Sequence, residues 1–551
     1  MISDTIIIDG YVDEPACLGV PPYISPYIRT VAGVLKESGR TPAYVTIDQL
    51  RSDPLRIPEL AQASLVVMIA GTTVPGKYLA GTPATLTEIQ QLGTVFSSST
   101  AAYLGGPIAF GYSGEGGKKA VMPAAVGWTA LLEGDPASAL QSVLSGGEPR
   151  GQLSYQDYDY FAKLGADIIH QHPFYPHVML ELETAKGCSR SITGGCAFCT
   201  EPFYGMPRHR DLAGIFAETA SLYRAGARHF RLGRQPDLLT YGVSGAEFPK
   251  PDPDKLQKLF AGIRTAAPEL RTLHIDNMNP GTIAHHEDAA RAALQAIVDG
   301  HTAGDTAAFG VESIDPAVIK ANNLKGSPED IFRAVEIVNE VGGVRRNGIP
   351  ELLPGLNFIA GLAGETPETF VLNRAFLQKI LDANLLVRRV NIRQLMPFEG
   401  TRAYTDNTLG KHDREFHAFK NDVRETFDTP MLAKVFPLGT IFDDVLIEVS
   451  GQVSFGRQMG TYPVLIGVPE KIPVGTLLST VVVAYGQRSV TALPYPIRIN
   501  HLSMPALKWI PGISAKSATK LITKMPFKST EDFLKMAPDA HALVPYMDFS
   551  S

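Results

Sequence analysis

The 551-residue chain is 44% hydrophobic and 19% charged, an ordinary balance for a water-soluble globular protein, and its length suggests about three or four domains. Its net charge of −6 gives no global pull toward nucleic acid, so any such affinity must be local. The longest apolar runs, such as Ala63-Ser-Leu-Val-Val-Met-Ile-Ala70, are too short for a bilayer. The N-terminus lacks the basic start of a secretory signal, and four cysteines, three of them clustered, do not make a disulfide framework. A cytoplasmic location with no membrane partner is expected.

Residues 1–150 read as alternating strands and helices. Thr5-Ile-Ile-Ile-Asp9 is a buried strand, and Tyr23 to Ser38 an amphipathic helix ending at Gly39. Residues 43–47 and 64–70 are further strands, and 84–92 is helical. Ala102 to Ala109 is a strand running into a glycine turn. Trp128 to Asp135 leads to a helix over 136–144. Short apolar strands alternating with helices predict a doubly wound parallel sheet. Cys17 follows the first strand, at the carboxyl edge where such sheets bind ligands. It is a lone cysteine that is either structural or a reactive thiol or ligand. Residues 151–178 read as a connector rich in Tyr, Asp, His and Pro, with histidines expected in exposed loops.

An alternating strand over 179–184 then leads into Cys188-Ser-Arg-Ser-Ile-Thr-Gly-Gly-Cys196-Ala-Phe-Cys199, a C-x7-C-x2-C loop. Three thiolates from one loop can hold three irons of a four-iron cluster, leaving the fourth iron open for a small molecule. A zinc site with His209 as the fourth ligand is the alternative that the loop alone leaves open. Strand–helix alternation continues to about residue 400, with strands over 228–232, 272–275, 307–312, 356–360 and 387–393. Helices such as 214–225, 252–266 and 287–298 fill the gaps. Six such units predict a partial barrel whose chemistry sits at the carboxyl ends of its strands.

Residues 401–440 carry polar helix. From 441 to 500 period-two runs broken by Gly and Pro predict a small antiparallel barrel. The last segment, 501–551, reads as helix, Pro511-Gly512-Ile513-Ser514 turn, helix. Lys508, Lys516, Lys520, Lys524 and Lys528, with no acid from 501 to 530, make a local basic patch.

The cysteine loop resembles the cluster-binding loop of the radical S-adenosylmethionine superfamily. That loop is usually C-x3-C-x2-C with an aromatic before the third cysteine, the place of Phe198. The first gap here is four residues longer. Thr200-Glu-Pro202-Phe-Tyr-Gly205-Met-Pro-Arg208 resembles the Pro…Gly…Arg tail of the methylthiotransferase branch. Phe309-Gly-Val-Glu312-Ser313 resembles the fourth-strand segment that contacts the cofactor's ribose and carboxylate. Phe358-Ile-Ala-Gly361-Leu-Ala-Gly364-Glu365-Thr366 resembles the fifth-strand turn, where Gly361 lets backbone approach the adenine. Leu232-Gly233-Arg-Gln-Pro236 stands where relatives bind the methionyl amine, with no acid until Asp237.

The resemblance implies a 4Fe-4S cluster on Cys188, Cys196 and Cys199, with S-adenosylmethionine contacted by Phe198, Gly233, Glu312, Ser313, Gly361 and Glu365. It also implies an electron donor of the flavodoxin or ferredoxin type. Reductive cleavage of the sulfonium would give a 5′-deoxyadenosyl radical. Residues 1–150 resemble the cobalamin-binding-type domain preceding many such cores, through Gly105-Gly106-Pro107 and Leu132-Glu133-Gly134-Asp135, but the Asp-x-His-x-x-Gly signature for cobalt is absent. The 441–500 barrel, with Gly456-Arg457-Gln-Met-Gly-Thr-Tyr462, resembles the RNA-binding barrel of methylthiotransferases. The tail resembles a helix-hairpin-helix motif, implying phosphate contacts by Gly512, Ser514, Lys508, Lys516, Lys520 and Lys524. Modification of RNA, notably tRNA, is the first expectation. A cobalamin-dependent methylase of a protein or small molecule is the second, and a non-catalytic nucleic-acid-binding protein the third. Methylthiolation proper is opposed by the cysteine count, since only Cys17 stands upstream of the loop.

Overall fold

The structure, a computed structural model, describes residues 4–12, 22–71 and 81–550. Cys17 lies outside the described residues. The first sheet is all parallel in the order Ala43–Thr46, Thr5–Asp9, Leu65–Ile69, Ala101–Gly105, Ala130–Leu131. Its three central strands are apolar on both faces because helices cover both faces, the doubly wound arrangement expected from the alternation. Gly106 (φ +99) turns the chain after its strand, with Ala70 O 2.6 Å from where a Cβ would stand. Only a residue without a side chain passes there.

Six parallel strands form the partial barrel: Met179–Glu183, His229–Gly233, Thr272–His274 continued by Asn277–Met278, Asp305–Glu312, Leu352–Ala360 and Arg389–Gln394. The third strand breaks at Asp276, whose carboxylate turns to Arg231 Nη2 at 2.5 Å. Two residues of the N-terminal region, Tyr23–Ile24, pair with Met179 and Leu180 and extend this sheet past its first strand. The sequence places Tyr23 in the helix that follows. That helix starts instead at Pro26, whose missing N–H and fixed φ suit a first helical position.

The 151–178 connector is largely helical. Ser154 caps a helix over Tyr155–Leu164, and its hydroxyl accepts from Asp157 N at 3.1 Å. Tyr158, Phe161 and Ala162 point into the same core as the helix Pro26–Glu37 and the barrel strands. The polar spelling hides an i, i+3, i+4 apolar stripe. His170 is exposed as expected, whereas His172 is 3% exposed and its Nδ1 accepts from Phe174 N.

Residues 441–494 close a five-stranded barrel, but not the wholly antiparallel one that the alternation predicted: Leu465–Val468 and Ser489–Pro494 pair in parallel, because Leu477–Tyr485 crosses between them in sequence. Its segment Met459–Tyr462 docks on the amino ends of the larger barrel's strands. Thr461 N donates to His274 Nδ1 at 2.9 Å, Thr272 Oγ1 to Met459 O at 3.2 Å, and Tyr462 Oη to Asp276 Oδ1 at 3.1 Å. The tail forms helices Met504–Leu507 and Ala515–Lys524 around a turn at Gly512 (φ +85), with a core of its own against Val481, Val483 and Leu493.

Candidate functional site

The cysteine loop is an excursion between two short antiparallel strands, Ala185–Lys186 and Arg208–His209, at the carboxyl end of the first barrel strand. Gly187 (φ +88) opens it, with the carbonyls of Met206 and Gly205 at 2.6 and 2.7 Å from a built Cβ. The residues that lengthen the first gap form a 3₁₀ turn, Ser189–Thr193. Arg190, 2% exposed, ties that turn down. Its Nη1 donates to Cys196 Sγ at 3.0 Å and to Asn323 O at 2.7 Å, and its Nε to Glu247 Oε1 at 3.0 Å. Asn323 Nδ2 and Arg402 Nη2 both donate to Gly195 O at 3.0 Å. The longer gap therefore leaves the three thiols on one braced loop. Arg190 was not singled out from the sequence, where a lone arginine between cysteines reads as solvent-facing.

Burial raises the Cys188 thiol to about 11 and the Cys199 thiol further, and each is also raised by its neighbouring cysteines. A hollow opens beside Cys188, lined by Gln235, Asp237, Asn279 and Lys325. Burial would lower the half-buried Lys325 ammonium, but Glu312 and the three cysteines together hold it above its ordinary value. Lys325 is near enough to all three thiols for each to act on its charge, and no periodic or motif signal in the sequence points to it. Asp237, which accepts from Thr282 Oγ1 at 2.7 Å, is raised to about 6 by burial. His209 Nε2 meets Val243 O at 3.0 Å, and among the described residues no three His, Cys, Asp or Glu groups gather as a single-ion site.

Glu312 ends the fourth strand at φ +62, a conformation that costs a side-chain-bearing residue about 1–3 kcal/mol and clusters at functional sites. Its Oε2 is buried without a hydrogen-bond partner, and burial lifts its carboxyl to about 7 against the pull of Lys325 and Arg393. Ser313 Oγ accepts from Asp315 N at 3.2 Å and shapes the turn. Gly361 (φ +97) donates its N–H to Glu365 Oε2 at 2.9 Å, and burial raises Glu365 to about 7. These two line a second, smaller hollow with Gln394 and His412. Phe198 packs between the loop and the fifth-strand turn, against the cluster of Ala197, Leu362 and Leu395. Gly233 is held small by packing, since a Cβ there would stand 1.7 Å from Glu181 Oε1.

The carboxyl edge of the N-terminal sheet abuts this loop. Asp135 meets Lys186 Nζ at 3.1 Å, and Phe110 stacks edge-on with Tyr204, five residues past Cys199, at 5.8 Å between centroids. Beneath the loop the helix Pro26–Glu37 sends Arg29 to Glu218, at 2.8 Å, and Glu218 also pairs with Arg210 at 2.6 Å, all three fully buried. At the far end of the chain, Lys508, Lys516, Lys520 and Lys524 are exposed and form no ion pair among the described residues. Exposed Trp509 and Ile522 lie among them in sequence. Ser514 caps the second helix, its Oγ accepting from Ser517 N at 3.1 Å.

No family model matches the chain. A sequence relative of a different kind is the ribosomal protein uS12 methylthiotransferase RimO of Thermus thermophilus, 27% identical over 229 residues, 40% of this chain and 46% of that protein. Loop, six-stranded partial barrel and that match define the class, a radical S-adenosylmethionine superfamily enzyme. Within it the chain belongs to the family of two archaeal proteins carried as uncharacterized. One is from Archaeoglobus fulgidus, 41% identical over 516 residues (92% of this chain, 93% of that protein). The other is from Methanocaldococcus jannaschii, 42% identical over 513 residues (89% and 93%).

Proposed function

We propose that Cys188, Cys196 and Cys199 hold a 4Fe-4S cluster, that S-adenosylmethionine binds in the adjoining hollow, and that the enzyme modifies RNA. The observation that carries the cluster is the donor set: three thiols on one braced loop, with a cation, Lys325, facing all of them. Thiolates crowded together need positive charge beside them, and Lys325 with Arg190 supplies it. Asp237 and Lys325 stand on the same hollow with charges that suit the amino and carboxylate groups of the cofactor. Glu312, strained and with one oxygen unpartnered, is the acceptor for a ribose hydroxyl. When bound, the cluster supplies one electron to the sulfonium, whose cleavage gives a 5′-deoxyadenosyl radical. The chain's part is to hold, aim and exclude water. RNA as substrate is supported by the unpaired lysines around the Gly512 turn.

A second proposal, cobalamin-dependent methylation, is favoured by one observation: the carboxyl edge of the doubly wound sheet faces the cysteine loop through Asp135 and Phe110. Ligands of such sheets bind at that edge. Iron, cobalt and zinc per chain on anaerobically purified protein test both. About four irons without cobalt support the cluster and RNA, and about four irons with one cobalt move the methylase to first place. Zinc persisting after anaerobic reconstitution with iron and sulfide sinks the cluster assignment.

A further inference from the structure

Along the sixth barrel strand, Val390 and Ile392 pack into the core beneath the helices, so Arg389, Asn391 and Arg393 face the other way, into the barrel. Asn391 Nδ2 meets Asn357 Oδ1 on the fifth strand at 3.3 Å, and the Arg389 guanidinium lies 4.5 Å from the Tyr462 ring centroid. This strand is the last of its sheet, paired on one edge only. Arg488, from the small barrel, covers its free edge, with Nη2 donating to Val390 O at 3.3 Å. Lys420 and Arg424, from the helix Asp413–Val423 and the turn after it, complete the surround.

Five cations thus share one neighbourhood. The charges of Arg393 and Arg488 act on Arg389, and those of Arg424, Arg488 and Arg393 on Lys420. The carboxylate set among them is Asp428, 3.3 Å from Arg488 Nε, which burial raises to about 6. The Nε atoms of Arg389 and Arg393 are buried without a hydrogen-bond partner. Buried guanidinium groups are expected to be paired, and leaving them unmatched is costly. The Arg393 charge also acts on Glu312, so the row extends from the last barrel strand toward that carboxylate.

We propose that Arg389, Arg393, Lys420, Arg424 and Arg488 bind a phosphate group of the substrate at the lateral mouth of the barrel. Guanidinium forks match phosphate oxygens two at a time, and five cations against the one carboxylate of Asp428 leave positive charge for an anion to neutralise. The proposal specifies how the substrate of the radical enzyme is held, and it rests on that assignment only for the chemistry that follows.

Calorimetric titration of the full chain with inorganic pyrophosphate, and separately with a single-stranded RNA oligonucleotide, tests it. Pyrophosphate should bind the wild type and bind R389Q/R393Q about tenfold or more weakly. R389K/R393K, which keeps the charge, should bind more tightly than R389Q/R393Q, and matched melting temperatures exclude unfolding. RNA weakened by R389Q/R393Q and displaced by pyrophosphate identifies a phosphodiester. Pyrophosphate binding that RNA does not contest identifies a smaller phosphorylated substrate. Both outcomes support the site, and binding of both ligands undiminished in R389Q/R393Q, or absent from the wild type, overturns it. Formation of 5′-deoxyadenosine by the wild type is read alongside. Its absence overturns the radical assignment and leaves the anion site standing.

Discussion

Glu218 carries two arginines in a fully buried position, Arg29 from the N-terminal helix and Arg210 from just past the strand that closes the cysteine loop. Burial alone would raise its carboxyl, but Arg210 and Arg29 hold it below the ordinary value. Glu218→Ala leaves two buried cations short of a partner, and a loss of about 3–5 kcal/mol is expected in urea unfolding. The sign with pH follows from the lowered value. The stabilisation is complete above the unfolded carboxylate pKa of about 4.3 and is lost as pH falls through the folded one. The wild-type urea midpoint should therefore drop below about pH 4 more steeply than that of the variant. Gly187→Ala forces a side chain toward two backbone carbonyls at φ +88. Iron content should fall well below wild type while the melting temperature shifts by a few degrees. Equal iron in both would show that the loop does not need this turn.

Among the elements, the small C-terminal barrel has the least expected place. Its 459–462 segment, spelled like the start of an RNA-binding barrel, is spent on docking. Tyr462 reaches Asp276, and Arg388 Nη2 donates to Tyr462 O at 3.1 Å. These contacts are at the amino ends of the barrel strands, whereas the cysteine loop is at a carboxyl end. Tyr462→Ala removes a half-buried ring and a partner of the buried Asp276, for an expected loss of about 2–4 kcal/mol. Limited proteolysis should then cut between the larger barrel and the small one, and an unchanged digestion pattern would show the docking to be dispensable. The strands were legible from the sequence because buried parallel strands are spelled as short apolar runs, as in Leu65–Ile69. The helix Tyr155–Leu164 was not, because its surface positions are tyrosine and aspartate and its apolar stripe is three residues wide. The cysteine loop was legible from spacing. Arg190, Lys325 and Arg393 were not, because each comes from a separate part of the chain and acquires its role only when folding removes its solvent.

At the scale of the whole molecule, one continuous core runs from the doubly wound sheet through the helix Pro26–Glu37 into the six-stranded barrel. The strand Tyr23–Ile24, from the N-terminal region, adds to the barrel sheet beside the first barrel strand, the one that ends in the cysteine loop. The N-terminal region is therefore part of the wall of the site. On the proposed function, this wall encloses a cluster that cleaves S-adenosylmethionine by one-electron reduction. The measurement that tests it most directly is 5′-deoxyadenosine formed by the anaerobically reconstituted full chain with S-adenosylmethionine and dithionite. The account predicts 5′-deoxyadenosine from the wild type and none above background from Cys199→Ala. Equal amounts from both, or none from a wild type loaded with about four irons, would contradict it.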